Sequence, residues 1–355
     1  MKISIKITTL ILTMVAIFTL TNIIQVTTLA SSSLDFNNAR AANVAVIFFK
    51  MDDPYTMRVV ESLKNLENDK KNNVKFTFFD PENNIAIQNA MLDSALQSGY
   101  DLFILYLPDK KESMVEDVIN RVKTKGTPLI LMNIPAEVVS KVSKLYNKVA
   151  FVTPDSKMAG INQGKIIVDL WNSNRRAIDK NGDNVLQYVL LKGPLNDPQV
   201  DDRTQYAIST INEAGIKTEE LAMVSANWLK DLAKTSIDSL FLKLYGRIEA
   251  IISNNDAMAI GAIESLQNYG YNKGDESKNI AVVGVDGLQE AKDLIDKGYM
   301  TGTVIQDPDV QAKLLYTIGM NLINNLNPTE NTNYKSVDGY VIIPFPYDTY
   351  TGKAK

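Results

Sequence analysis

The feature that most constrains this fold is an alternation, from Asn43 onward, between short apolar runs and longer amphipathic stretches. Buried parallel strands joined by surface helices produce this pattern, because each crossover helix covers one face of a sheet. The strand candidates of a first series, then of a second, are residues 44–49, 74–79, 102–107 and 128–133, followed by 149–153, 185–191, 218–224, 250–253, 280–285 and 301–305. The pattern therefore predicts two successive α/β lobes.

The loops after these strands concentrate the polar and aromatic residues. Open α/β sheets bind ligands at the carboxyl ends of their strands, so two such lobes predict a cleft lined by these loops. The loops are residues 51–55, 193–197, 225–228, 253–256, 284–287 and 306–308. For any one loop, the competing interpretation is that its Asn or Asp only caps the next helix. Six such loops at one cleft favour a site for a polar ligand.

Two residue types are absent from the chain, and their absence limits the reactions and metal sites that it can support. The chain has no cysteine and no histidine, which excludes thiol nucleophiles, disulfides, Cys/His zinc sites and Ser-His pairs. Its net charge of -4 offers no basic face for nucleic acid, so we predict no nucleic-acid partner. Carboxylate chemistry and metal sites built from oxygen ligands remain open.

Residues 1–30 have the character of an export segment. Lys2 and Lys6 precede an uncharged, mainly apolar run over residues 7–30. We predict a signal peptide cleaved near residues 28–30 or 39–41; the alternative is an uncleaved membrane anchor, since the run is long enough to span a bilayer. Either outcome places the protein in the periplasm or at the outer face of the cell membrane. Without cysteine, it cannot be anchored as a lipoprotein.

The strongest local motif is a loop over residues 179–187 that matches the first nine positions of a helix-loop calcium site. Its oxygen ligands would be Asp179, Asn181, Asp183, Val185 through its carbonyl, and Gln187. Asn184 replaces the usual glycine, which asparagine permits because it enters left-handed conformations readily. No acidic residue stands at position 12, Leu190, so a further carboxylate must come from elsewhere. The alternative is a solvated Asx turn.

Taken together, these segments resemble the bacterial galactose- and glucose-binding proteins of the periplasmic type I family, over about residues 43–347. The most specific pieces are the 179–187 loop continued by 187–193, then 254–259, 284–286 and 302–304. The resemblance implies two Rossmann-like lobes joined by a hinge, with the ligand between them. It also implies a structural calcium ion that takes Glu249 as its remaining carboxylate.

The resemblance further implies that a sugar lies between two aromatic rings while polar side chains bind its hydroxyls. The matching positions are Asp53, Tyr55, Arg203, Trp228, Asn255 and Asp286. Four more sugar-site positions depart from the family: Tyr106, Asp197, Gln199 and Gln306 stand in place of asparagine, histidine, aspartate and asparagine. Because Tyr106 is bulkier than asparagine, we expect it to intrude, which favours a ligand that is smaller than a hexose, differently oriented or differently substituted. Drift at tolerant positions is the alternative for each.

These observations predict an exported, monomeric binding protein that delivers a monosaccharide of the galactose or glucose type to an ABC importer by closing its lobes. We assign residues 43–133 with 307–336 to the N-terminal lobe and 134–306 with 337–355 to the C-terminal lobe. The alternative role is a membrane-anchored sensor that presents its ligand state to a histidine kinase or chemoreceptor. A repressor is excluded, because an apolar segment stands where a DNA-binding helix-turn-helix would be.

An enzyme is disfavoured for a separate reason. A hydrolase would use cleft carboxylates such as Asp53, Asp197 and Asp286 as acid and base. Neighbouring arginine and asparagine side chains suit hydroxyl binding and keep both acids ionised. We therefore predict no catalytic residue.

Overall fold

The computed structural model describes residues 40–69 and 71–352. The chain divides into Met1–Ala41 and Ala42–Lys355, and every element below belongs to the second unit. The strands are β1 (Ala42–Ile47), β2 (Val74–Phe79), β3 (Leu102–Tyr106), β4 (Leu129–Met132), β5 (Val149–Pro154), β6 (Val185–Lys192), β7 (Lys217–Ser225), β8 (Ala250–Ser253), β9 (Ala281–Asp286), β10 (Gly302–Ile305), β11 (Ser336–Val337), β12 (Tyr340–Ile343) and β13 (Thr349–Tyr350).

The helices alternate with these strands. They are α1 (Pro54–Asn68), α2 (Ile85–Gln97), α3 (Glu112–Thr124), α4 (Ala136–Val142), α5 (Ser156–Ser173), α6 (Arg175–Ile178), α7 (Pro198–Glu213), α8 (Lys230–Lys243), α9 (Asp256–Asn268), α10 (Gln289–Asp296) and α11 (Pro308–Ile323). In the described part of the chain, none of them combines the length and apolar composition that a membrane crossing requires. The predicted export segment, residues 1–30, lies outside the described residues.

The first sheet has the strand order β11-β12-β5-β4-β3-β1-β2 and is parallel except where β11 meets β12. Side chains alternate between its faces: Val44 and Val46 join one buried cluster, Ala45 and Ile47 another. Helices α1 and α11 cover the first face, and α2, α3 and α4 cover the second. Burial on both faces explains why its strands are apolar at nearly every position.

The second sheet has the order β13-β10-β9-β8-β6-β7 and is parallel except where β13 meets β10. Helices α5 and α7 cover one face, while α8, α9 and α10 cover the other. One buried cluster includes Val44 of the first sheet and Leu186 of the second, so the inner faces of both sheets belong to a continuous core. The prediction of two α/β lobes is confirmed.

The predicted lobe boundaries need correction. Strand β5 pairs with β4 in the first sheet, Leu129 opposite Val149, and β12 pairs with β5, Tyr340 opposite Phe151. The sequence-based boundaries put both strands in the C-terminal lobe. An apolar run shows that a strand is buried but not which sheet it joins. The sequence therefore could not show after which strand the chain passes from one lobe to the other. The chain passes between lobes after β5, after β10 and after β12.

Candidate ligand cleft and calcium loop

A cavity of about 60 Å³ lies between the two lobes at the carboxyl ends of their strands. Nine of the ten predicted sugar-site residues line it: Asp53, Tyr55, Tyr106, Gln199, Arg203, Trp228, Asn255, Asp286 and Gln306. They come from both sheets and from the connection after β10. The structure therefore brings together side chains that are separated by more than half of the sequence.

Several of these residues also cap helices. Asp53 precedes α1, and its Oδ2 accepts from the Thr56 amide and hydroxyl, each at 2.8 Å. Asn255 precedes α9, and its Oδ1 accepts from the Met258 amide at 3.0 Å. Capping and cleft lining thus apply to the same side chains, because a cap residue sits where a strand has just ended.

Arg203 organises the polar side of the cavity from a position in α7 that is only 3% exposed. Its Nη1 donates to the Asn254 carbonyl at 2.7 Å, and its Nη2 donates to Gln199 Oε1 at 3.0 Å and Gln306 Oε1 at 2.9 Å. Its guanidinium carbon lies 5.6 Å from the centre of the Trp228 ring. The guanidinium group thus fixes the side chains of Gln199 and Gln306 and faces the Trp228 ring.

Three lining residues keep buried polar atoms without a hydrogen-bond partner: Arg203 Nε, Gln306 Nε2 and Asn133 Oδ1. Buried polar groups are rarely left unpaired, because each costs desolvation free energy. Two of these atoms are donors and one is an acceptor. A hydroxyl group can serve either kind, so the cavity wall is suited to a polyhydroxyl ligand.

Two carboxyls face each other from the two lobes. Burial raises the pKa of Asp286 well above its usual range, Arg203 opposes the shift, and Asp53 adds to it. Burial also raises the pKa of Asp53, against the hydrogen bonds from Thr56. Asp286 has a φ of 129°, a conformation that side chains rarely adopt and that is typical of functional positions. Donors on a bound molecule would favour the ionised form of both carboxyls.

Trp228 is held in place by an unusual local backbone. Asn227 and Trp228 have φ values of 52° and 66°, and the Trp228 carbonyl accepts from Asn255 Nδ2 at 3.3 Å. A Cβ atom on Gly193 would lie 2.4 Å from the Trp228 ring. Glycine at 193 is therefore what lets the indole pack against the end of β6.

The four positions that depart from the family pattern form one bonded group. The Tyr106 hydroxyl donates to Asp197 Oδ2 at 2.9 Å and accepts from Gln199 Nε2 at 3.3 Å. Through Arg203, Gln199 is connected to Gln306. Asp197 is also only 2.6 Å from Lys110 Nζ, in an ion pair that joins the lobes. The four changes are physically coupled.

Asp197 is the predicted residue that the structure does not place on this cavity. It lines a neighbouring cavity instead, because Lys110 and Tyr106 occupy one carboxylate oxygen and the Gln199 amide donates to the other. Lys110 was missed by the sequence analysis: its side chain is 6% exposed, and burial lowers its pKa while Asp197 opposes that shift. A lysine at the edge of a predicted amphipathic stretch gave no sign of burial.

Other lining residues were missed as well. Phe49 and Asn133 follow strands β1 and β4, so the rule that sites gather after strands could have identified them. Gln311 lies in α11, and its Oε1 accepts from the Tyr55 hydroxyl at 3.0 Å. No loop motif marks a residue within a helix, so sequence spacing held no signal for Gln311.

The 179–187 loop runs into β6, which begins at Val185, and Glu249 lies beside it. Gly182 and Asn184 have φ values of 74° and 63°, so asparagine does adopt the left-handed conformation. Glu249 is 2% exposed, and its carboxylate accepts from the amides of Lys180 at 2.6 Å and Gln187 at 3.1 Å. Burial raises its pKa, and these amides oppose the shift.

Side chains within the loop converge on Asp183. Its Oδ2 accepts from Asn181 Nδ2 at 2.9 Å and from Gln187 Nε2 at 3.0 Å, and the backbone amide of Val185 lowers its pKa. Asp179 Oδ1 is buried without a partner. Over residues 40–69 and 71–352, no group of three acidic side chains converges as metal ligands. Rotating the two amides would present oxygens in place of nitrogens, and these with the carboxylates form a donor set of the kind calcium prefers.

The loop is also connected to α5. Arg175 Nη1 donates to Asn184 Oδ1 at 2.8 Å, and the Arg175 guanidinium carbon lies 5.2 Å from the centre of the Trp171 ring. Trp171 is 4% exposed. Arg175 therefore connects the loop to a buried indole.

Comparison with known proteins decides the family. Residues 44–327 match the periplasmic binding protein domain. The chain belongs to the periplasmic binding protein family. The family resemblance drawn from the sequence is thereby confirmed, and so is the prediction of a solute-binding protein rather than an enzyme.

Two curated relatives and one solved structure show the range of this family. The D-galactose/methyl-galactoside binding periplasmic protein MglB of Haemophilus influenzae is 33% identical over 322 residues, 89% of this chain and 92% of that protein. The ribose import binding protein RbsB of Bacillus subtilis is 22% identical, over 78% of this chain and 80% of that one. An ABC transporter periplasmic solute binding protein from Actinobacillus succinogenes with bound D-allose has a TM-score of 0.68 and 19% identity, covering 84% and 95% of the two chains.

Proposed function

We propose that this protein binds a neutral monosaccharide in the cleft between its lobes and, outside the cytoplasm, delivers it to an ABC importer. The observation that carries the proposal is the convergence of nine predicted residues from both lobes on one cavity. Carboxylates, a guanidinium and amides there bind hydroxyls, and the rings of Tyr55 and Trp228 suit the C-H faces of a sugar.

Galactose and glucose are the first candidates. The family resemblance implies them, and the Haemophilus relative is named for galactose and methyl-galactoside. The ribose-named relative and the allose-bound structure support a wider choice, since related chains of this fold are described with other sugars. The changed residues Tyr106, Asp197, Gln199 and Gln306 also argue for testing pentoses beside hexoses.

Isothermal titration with galactose, glucose, xylose, arabinose and ribose, in the presence of calcium, tests the proposal. We expect saturable binding of at least one sugar, and loss of that binding in Asp286→Asn because the carboxylate acceptor becomes an amide. Asp231→Asn, an exposed position in the first turn of α8, is the matched control. Absence of binding across the panel would contradict the proposal.

We also propose a structural calcium ion in the 179–187 loop, held by Asp179, Asn181, Asp183, the Val185 carbonyl, Gln187 and Glu249. The partnerless Asp179 Oδ1 and the two amides turned toward Asp183 support it. When bound, the ion would contribute positive charge that the clustered carboxylates lack. Glu249 already orders the loop backbone, since its carboxylate accepts from the amides of Lys180, Asn181 and Gln187.

Export and partner remain part of the proposal. As a periplasmic carrier, the protein would lose residues 1–30 and act as a monomer; as a sensor, it would keep them as an anchor. N-terminal sequencing of the protein recovered from the cell envelope separates the two roles. A processed terminus supports delivery to an importer, and an intact one supports a membrane-anchored sensor.

A further inference from the structure

The cleft contains two cavities that share a wall. The ligand cavity of about 60 Å³ and a neighbouring cavity of about 170 Å³ are both lined by Phe49, Tyr106 and Trp228. Lys110 and Asp197 line only the second. The three aromatic side chains therefore form a partition across the cleft, with the ion pair behind it.

Tyr106 is the member of the partition that is held from both lobes. Its ring packs edge-on against Phe49, with centroids 4.7 Å apart, and Lys110 Nζ lies 4.7 Å from its centre. Its hydroxyl bonds to Asp197 and Gln199 of the opposite lobe. In the closed protein, moving this ring would break two interlobe hydrogen bonds.

The ion pair stands behind this ring and is itself buried. The Lys110 and Asp197 side chains are 6% and 3% exposed, so each depends on the other for compensation of its charge. A buried charge that loses its partner is strongly destabilising. The pair also leaves Asp197 Oδ2 with two donors already, so this carboxylate has little acceptor capacity left for a sugar.

The space left on the ligand side is small. The ligand cavity has about 60 Å³ of space, against about 170 Å³ in the neighbouring cavity. A hexopyranose differs from a pentopyranose by a hydroxymethyl group, which projects from the ring and needs room of its own. With the partition in place, the second cavity cannot supply that room.

We propose that Tyr106 is a specificity-determining residue, and that its partition makes this site prefer a five-carbon sugar over a hexopyranose. The inference rests on the proposed function, that the cavity holds a monosaccharide. It explains why the four changed positions form one bonded group: the ring occupies volume, Asp197 and Gln199 bind its hydroxyl, and Gln306 is fixed through Arg203.

The test compares wild type, Tyr106→Asn and Tyr106→Phe by isothermal titration with xylose, arabinose, galactose and glucose. We expect wild type to bind its best pentose about ten- to a hundredfold more tightly than its best hexose, the range for one extra group in a fitted pocket. Tyr106→Asn joins the two cavities and should shift that ratio toward the hexose by about tenfold or more. Tyr106→Phe keeps the ring and its packing against Phe49 but loses both hydroxyl bonds, so the ratio should shift less than in Tyr106→Asn.

The outcomes separate this inference from the function on which it rests. Wild type that binds a hexose as tightly as any pentose overturns the inference and leaves the proposed function standing, whatever the variants do. A ratio that shifts as much in Tyr106→Phe as in Tyr106→Asn also overturns it, because the ring volume would then not be what excludes the hexose. Wild type that binds no sugar in the panel removes both.

Discussion

The calcium loop and the ligand cleft are two polar sites built in different ways. Five of the six proposed calcium ligands lie within nine consecutive residues, 179–187. The cleft takes its residues from many segments of both lobes, and four of its positions are bonded to one another directly or through Arg203. The residues of a contiguous site are recognised by their spacing along the chain. In a site assembled across a cleft, the side chains bond to one another, so replacing one residue removes a hydrogen-bond partner of another.

The largest effect expected from this comparison is at the ion pair behind the cleft. Lys110→Met keeps most of the side-chain volume but leaves the buried Asp197 carboxylate without its cation. We expect the free energy of unfolding, measured by denaturant titration, to fall by about 3 kcal/mol. Replacing both partners with apolar residues should recover much of that loss.

Lys111→Met is the matched control, because the neighbouring Lys111 side chain is 73% exposed. If Lys110→Met were no more destabilising than this control, the changed residues would not act as a connected group. The cleft would then not differ from the calcium loop in how strongly its residues depend on one another.

The next effect concerns the calcium loop. Calcium at about a hundred times its dissociation constant should raise the free energy of unfolding by about 2.7 kcal/mol over the chelated protein, since it binds the folded state alone. Glu249→Gln should remove most of this difference in thermal unfolding measured with and without chelator. Glu213→Gln, at an exposed position at the end of α7, should retain it.

A calcium response that survives in Glu249→Gln would place the ion elsewhere or show that the loop alone suffices. Equal melting temperatures with calcium and chelator would instead support the Asx-turn interpretation. Either result would show that residue spacing alone does not identify the calcium ligands of this loop.

A third effect is a pH dependence behind the cleft. Burial raises the pKa of Asp256 to about 6, opposed mainly by hydrogen bonds from Thr303 and Leu288. Because this pKa lies above that of the unfolded chain, the folded state takes up the proton first. Ionisation therefore lowers stability as pH rises from about 4 to 6, and the loss is constant above that range.

Asp256→Asn lacks this titration. Denaturant unfolding from pH 4 to 7 should show wild type losing stability relative to the variant up to about pH 6, and a constant difference beyond it. Asp286 and Lys292 also act on this carboxyl, so their substitution should displace the transition. A difference that does not change with pH would show that Asp256 does not titrate in this window.

The sequence predicted both sheets because their strands are apolar at nearly every position. The loops after those strands contain six of the nine predicted residues that line the cavity, whereas Tyr106, Gln199 and Arg203 were expected only from the family resemblance. The sequence could not place β5 and β12, since strand pairing depends on contacts distant in sequence. Nor could it identify Lys110, whose partner Asp197 lies 87 positions away. Features that follow from the local sequence pattern could be predicted, whereas features that depend on pairing between residues distant in sequence could not.

The Arg175 guanidinium lies between the Trp171 ring and the calcium loop. The fluorescence of Trp171 should therefore depend on the state of this loop. The chain has only two tryptophans, and the other, Trp228, lines the cleft. Each proposed site thus has its own natural fluorophore. Emission from Trp171 should follow the ion and emission from Trp228 the sugar, so replacing either indole with phenylalanine would let one site be observed without the other.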